Sequence, residues 1–350
     1  MRRRYEALAA CAGRCQASPI LAEERQTPVN EEQRNLIDRI DSIFFTHAKG
    51  RRDRLIQENL RLVHYTTAEN AVNIIRSKTF WMRDTRSMTD FREVEHGYAK
   101  LFEYFTQKSG KRDAFCAALD RHFADAGREA LKRFDDWWAH IRTTTYICCF
   151  SEHSKGEDAY GRLSMWRAYG PKAGIAMVFR VPDSYSSTPL NVYLSPVAYL
   201  ENDEFWRQLD DVTERINAAG EMLKGLNRDI FVFAAYRMLV MATLSLKHPA
   251  FLEELEWRLI HLPFETPSPY VKSETATISD VPQVIYKLSL ENHPAEGITG
   301  ITLPELLDRV IIGPTQYPGP IYTSLAKELS DAGVPDIATK IAFSGIPLRT

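Results

Sequence analysis

The chain is punctuated by short runs of β-branched and aromatic residues whose separations are too uneven for a repeated strand–helix unit. RTTTYICCFS (142–151) is the clearest of them, because such residues fit a pleated, buried surface. Residues 60–65, KTFWMRD from Lys78, GIAMVFRV (174–181), EWRLIHL (256–262), VIYKLSL (284–290) and DRVIIGP (308–314) also read as strands. NVYLSPVAYL (191–200) and IAFSGIPLR (341–349) are further candidates. Between the runs, apolar residues three and four apart mark helices. This irregular mixture predicts an α+β fold with a mixed, mostly antiparallel sheet, a helical N-terminal leader and a helical insertion.

Helix signals divide the chain further. Residues 1–58 read as a polar, helical extension, and 59–350 as one α+β domain carrying an insertion at 204–247. In the insertion, Phe205, Leu209, Val212, Ile216, Ala219, Leu223 and Leu226 form one apolar stripe. Its second helix, Ile230 to Leu246, is apolar throughout except for Arg237 at its centre. That run is slightly short for a membrane span, so a buried core helix is expected. Thr66 heads a T-x-x-E capping box with Glu69, and Asp90 heads another with Glu93 opening a helix that runs to Phe105. Residues 113–140 read as one helix with Phe115, Leu119, Phe123, Trp137 and Trp138 in the core. LSMWRAYG is a short helix stopped by Gly170 and Pro171, and a helix over 320–333 ends at Gly333.

Charge narrows the functional classes. The 44 basic and 46 acidic residues nearly cancel, so no global field points to nucleic acid or membrane. The basic stretch His47 to Arg54 reads as a solvated helix face. Five cysteines without a CxxC spacing suggest neither a disulfide framework nor a zinc site, and fit a reducing cytoplasm. Near the start, LAAC resembles a cleavage box, but Glu6 and Arg14 interrupt the apolar region that a signal peptide needs. A helical or mobile leader is the expectation. Walker, GxGxxG, GxSxG, HExxH and kinase signatures are missing.

Three constellations can carry chemistry. His64-Tyr65-Thr66 ends a strand where a helix begins, and His64 and Thr66 point to one side. The competing reading is a core histidine beside an ordinary cap. Trp166 and Tyr169 share a helix face next to a polar loop and can stack on a flat ring; core packing is the alternative. Cys148 and Cys149 alternate across their strand and read as small core residues. Glu254, Glu256 and Arg258, on an extended segment, project to one side as an acid/base or electrostatic group. An exposed, salt-bridged edge would look the same.

The ordered series HYTxxENAxxIIxS, FWMRDxxSMTDxxE, CFS, MWxxYG, KHPxFxxExEWR and VIIGP resembles a bacterial family known as domain of unknown function 2971, over most of 60–350. More distantly, the strand ending in H-x-T followed by a helix and a second strand resembles the opening of DarT-type ADP-ribosyltransferases. That likeness implies NAD as substrate. His64 matches the first-strand histidine, Trp166 or Tyr169 the aromatic, and Glu256, with Glu254, the late glutamate. Arg83 or Arg86 would hold a pyrophosphate oxygen, with Thr66 and Arg258 as further cofactor contacts; no metal is needed. The implied protein is a toxin or phage-defence effector modifying a protein or nucleic acid, or a plain NAD hydrolase. A non-catalytic nucleotide-sensing or protein-interaction module, and an RNA-directed phosphotransferase or nuclease, are the alternatives. The scheme in which His64 and Glu256 grip one ribose requires both to face one cleft. Opposite faces of the sheet would defeat it.

Overall fold

The computed structural model describes residues 31–88, 93–170, 173–182, 190–223 and 225–347. The leader up to residue 30, with its LAAC box, and the cap expected at Asp90 lie outside these. The fold is α+β, built on a ten-stranded, mostly antiparallel sheet. The strands are β1 (Arg61–Thr67), β2 (Thr79–Asp84), β3 (Tyr146–His153), β4 (Gly174–Phe179), β5 (Tyr193–Pro196), β6 (Ala198–Tyr199), β7 (Leu246–Lys247), β8 (Glu256–His261), β9 (Val271–Ile278), β10 (Val281–Ser289), β11 (Leu307–Ile312) and β12 (Ile341–Phe343). The main order is β12-β11-β4-β1-β3-β2-β10-β9, with β8 and then β5 branching from β3; β6 and β7 pair separately. Within the large sheet, β11–β12 is a parallel pair.

Strand β3 organises the site. Along one edge it pairs continuously with β8, from Tyr146 opposite His261 to Ser151 opposite Glu256. Its other edge is shared. β1 takes Ser151–His153 and β2 takes Tyr146 and Ile147. Cys148, Cys149 and Phe150 face neither strand, so the sheet splits there. β1 leaves to pair with β4, and β2 leaves to pair with β10. The helix α1 joins the diverging strands (Ala68–Ser77) and buries Ala71, Ile74 and Ile75. Its cap is Thr67, whose hydroxyl accepts from the Asn70 amide at 3.2 Å, one residue beyond the expected Thr66. Thr66 therefore remains a strand residue.

One face of the sheet carries a helical layer. It contains α2 (Glu31–Phe44), α4 (Glu93–Gln107), α5 (Lys111–Asp120), α6 (Ala126–Thr143), α7 (Asn202–Ala218) and α8 (Arg228–Leu244), whereas α3 (Thr46–Gln57) buries Leu55 in the core of the other face. The single helix expected over 113–140 is two, broken at Asp125, which has a left-handed backbone. The apolar stripe of the insertion is buried as expected, and Phe44 of α2 joins the same core. Arg237 is also buried, with Nη2 donating to the Tyr193 hydroxyl at 2.9 Å and Glu265 3.4 Å away. No helix among the described residues is long and apolar enough to cross a membrane.

The basic stretch of α3 is not a solvated face. Arg51 and Arg54, one turn apart, both donate to the Glu152 carboxylate, which is 3% exposed and also accepts from the Trp257 indole at 3.0 Å. Arg52 pairs with Asp41, and Lys49 with Asp38. The opposite sheet face is covered by α1 and by α9 (Pro318–Asp331), through Leu325 and Leu329. The strand β9 escaped the sequence reading because its mostly exposed VKSETATI carries no apolar alternation.

Candidate functional site

The split in the sheet opens into a cleft of about 290 Å³. His64, Thr66, Arg83, Tyr169, Glu254 and Glu256 all line it, as do Trp81, Cys149, Met165, Asn70 and Asn73. Three of the expected residues do not. Trp166 is 1% exposed beneath the cleft, its indole donating to the Tyr160 carbonyl at 2.7 Å and its ring meeting Tyr65 edge-on. Gly161 and Gly313 make room for it; a Cβ on either would sit 2.7 Å from its ring. Arg86 is exposed and turned onto Asp84. Arg258 is 1% exposed, with Nη1 donating to the Leu244 carbonyl at 2.7 Å and Nε to Glu256 at 2.9 Å.

Glutamates 254 and 256 reach the cleft by an unexpected route. Glu254 ends the 3-10 turn Pro249–Glu254, Leu255 has φ 45°, and Glu256 begins β8. A bulky residue with positive φ is strained, and such strain persists only where surroundings enforce it. Here the turn swings both carboxylates onto one cation. Lys247 Nζ lies 2.7 Å from Glu254 and 3.2 Å from Glu256. The Tyr199 hydroxyl accepts the Glu256 amide at 2.8 Å and fixes the start of the strand. Burial opposes ionisation of Glu256, but Arg258 and Lys247 outweigh it and hold the carboxyl down to about 2. Glu254 is less buried, and its carboxylate lies 3.5 Å from the hydroxyl of Tyr169, itself 40% exposed at the cleft mouth. Burial and the Glu254 charge push the Tyr169 phenol up.

Across the split, the His64 ring fills the broken ladder. Its Nδ1 lies 2.8 Å from the Cys149 carbonyl. A carbonyl can only accept, so Nδ1 carries the proton and Nε2 is left as an acceptor. Burial lowers the His64 pKa, which keeps the ring neutral. The neighbouring Cys149 thiol is pushed well up by burial and by the Glu256 charge, so it stays protonated. Arg83 donates to Gln283 at 3.2 Å and to the Ser87 carbonyl at 3.0 Å.

Register separates the two residues expected to act together. Val63, Ser151 and Glu256 stand opposite one another in adjacent strands and share one face. His64 follows Val63 and stands opposite Met177, so it points to the other face with Phe150. His64 and Glu256 thus line one cleft from opposite sides of the sheet, and the shared-ribose scheme fails. The Glu254 and Glu256 side belongs with Cys149, Trp81, Arg83 and Tyr169; the His64 side belongs with Thr66, Phe80 and α1.

The sequence reading missed Lys247, Cys149, Trp81, Asn70 and Asn73. Pleat parity allows one of the adjacent cysteines to reach a site, and helical spacing puts Asn70 and Asn73 on one face, but only the split identifies what those faces meet. Among the described residues, no group of three His, Cys, Asp or Glu side chains is placed to hold a metal ion.

Residues 165–259 match the model of a protein family described as of unknown function (DUF2971). This stretch is narrower than the 60–350 span of the motif series. It includes Tyr169, Glu254 and Glu256, and excludes His64, Thr66 and Arg83. No curated protein and no solved structure matches the chain.

Proposed function

We propose that the cleft binds NAD and cleaves the bond between nicotinamide and ribose, passing ADP-ribose to a macromolecule or to water. The observation that carries this reading is the carboxylate pair Glu254 and Glu256, gathered on Lys247 at the wall of the cleft. Breaking an N-glycosidic bond develops positive charge on the sugar, as in glycoside hydrolysis. A carboxylate already ionised and oriented stabilises that charge without reorganising. Glu256 has the environment of a fixed anion, and Glu254 is the more accessible of the two, so Glu254 is the carboxylate assigned to the ribose. Tyr169 supplies a flat, partly exposed ring, and Arg83 a cation for a phosphate oxygen. The cleft, about 290 Å³, is at the small end of the range for ligand sites. The DarT-type likeness enters this proposal only through its late carboxylates, with Glu254 in place of Glu256 at the ribose, and a toxin or defence role is proposed with it.

The test is free nicotinamide released from NAD by the full chain, with and without lysate as acceptor. Wild type should turn over, and Glu254→Gln should lose about 10²–10³-fold. Absence of release under both conditions overturns the proposal. The separation of His64 from Glu256 favours a second reading, a nucleotide sensor without chemistry; thermal stabilisation by NAD without turnover would select it.

A further inference from the structure

The His64 side of the cleft has its own recognition groups. Asn70 and Asn73 lie at i and i+3 on α1, and both line the cleft. The hydrogen bonds found at these two residues engage the Asn70 backbone amide and the Asn73 carbonyl, which leaves both side-chain amides open to a ligand. His64 adds an imidazole nitrogen that can only accept, since its other nitrogen is committed to the Cys149 carbonyl. Below them, Phe80 and Phe150 meet edge to face at 5.2 Å, and the His64 ring lies 5.6 Å from Phe150. Two amides, each donor and acceptor, with a lone acceptor and an aromatic floor, complement a flat heterocycle bearing an exocyclic amino group.

We propose that this half of the cleft is a second subsite, for an adenine base, distinct from the carboxylate pair on the opposite sheet face. An asparagine amide matches the adjacent amino donor and ring acceptor of adenine, and His64 Nε2 accepts the remaining amino hydrogen. The inference rests on the nucleotide reading above. It adds that the nucleotide spans the split, one end on each face of the sheet.

Adenosine, which carries no phosphate for Arg83, is the probe, with nicotinamide riboside as comparator. Binding of each to the full chain is measured by calorimetry for wild type and for Asn70→Ala combined with Asn73→Ala. Both substitutions replace helix-surface residues, and melting temperature checks the fold. Adenosine affinity should fall about tenfold or more, ~1.4 kcal/mol, while nicotinamide riboside is unaffected. Equal adenosine binding by both proteins, no adenosine binding, or a loss confined to nicotinamide riboside overturns the subsite. None of these readouts requires turnover. Release of nicotinamide with unchanged adenosine binding leaves the proposed reaction standing and removes the subsite; the reverse pattern keeps the subsite and removes the reaction.

Discussion

Replacing Glu256 with glutamine tests the electrostatics at the centre of the molecule. The carboxylate is 4% exposed and receives Arg258 Nε at 2.9 Å and Lys247 Nζ at 3.2 Å. Glutamine keeps the shape but removes the negative charge that the buried Arg258, 1% exposed, faces at 2.9 Å. Removing one partner of a buried pair costs about 3–5 kcal/mol. A second route to the magnitude agrees: a carboxyl held at about 2 rather than 4.5 contributes ~3 kcal/mol at neutral pH. With an unfolding entropy of about 2.1 cal/mol/K per residue, a chain of 350 residues shifts about 1.4 °C per kcal/mol. Glu256→Gln should therefore melt about 4–7 °C below wild type at pH 7. The folded carboxyl sits below its unfolded value, so its contribution is complete above about pH 4.5 and drains away as pH falls toward about 2. Glutamine cannot titrate, so the stability gap between the proteins should narrow by about 1 kcal/mol at pH 3.5. Urea midpoints at pH 7 and pH 3.5 measure it. Equal melting at pH 7, or a gap unchanged at pH 3.5, refutes the reasoning. Because this substitution perturbs the fold, Glu254→Gln is the cleaner probe of chemistry.

Other outcomes follow from neighbouring geometry. Glu152→Ala strips the anion from Arg51 and Arg54 and the acceptor from Trp257, and should cost about 3–5 kcal/mol and speed proteolysis between α3 and β1; a protease profile like wild type would contradict this. His64 has a pKa below its ordinary 6.5, so its ring protons should titrate by NMR with a midpoint under 6.5, and charging it should weaken the fold; a midpoint above 6.5 would contradict burial as the dominant influence on the ring. Gly313→Ala places a Cβ 2.7 Å from the Trp166 ring and should destabilise by about 1–3 kcal/mol in urea, since Trp166 is closed in on all sides; no loss would mean that the packing relaxes freely.

Much of the architecture was legible because burial leaves periodic marks. The run Tyr146–Phe150 could hardly be anything but a buried strand, and the insertion stripe from Phe205 to Leu226 reads directly as a helix face. What escaped is local in cause. The cap moved from Thr66 to Thr67 because the strand runs one residue further; Thr67, with Asn70 three residues on, supplies the hydroxyl without completing a T-x-x-E box. The break at Asp125 carries neither Gly nor Pro. The arginines of α3 look solvated until Glu152, about 100 residues away, is brought beneath them.

For the candidate site, the sequence by itself supplied the residue types: His64 at a strand end, a carboxylate pair before β8, an aromatic after a polar loop. Those are set by neighbours in the chain, where strand and helix periods operate. Tertiary structure decided which of them meet. The split between β1 and β2 places His64, Arg83, Tyr169 and Glu254 around one space and removes Trp166, Arg86 and Arg258 from it. It also put His64 and Glu256 on opposite faces, because register between strands distant in sequence, together with a pleat of period two, fixes the side to which each residue points.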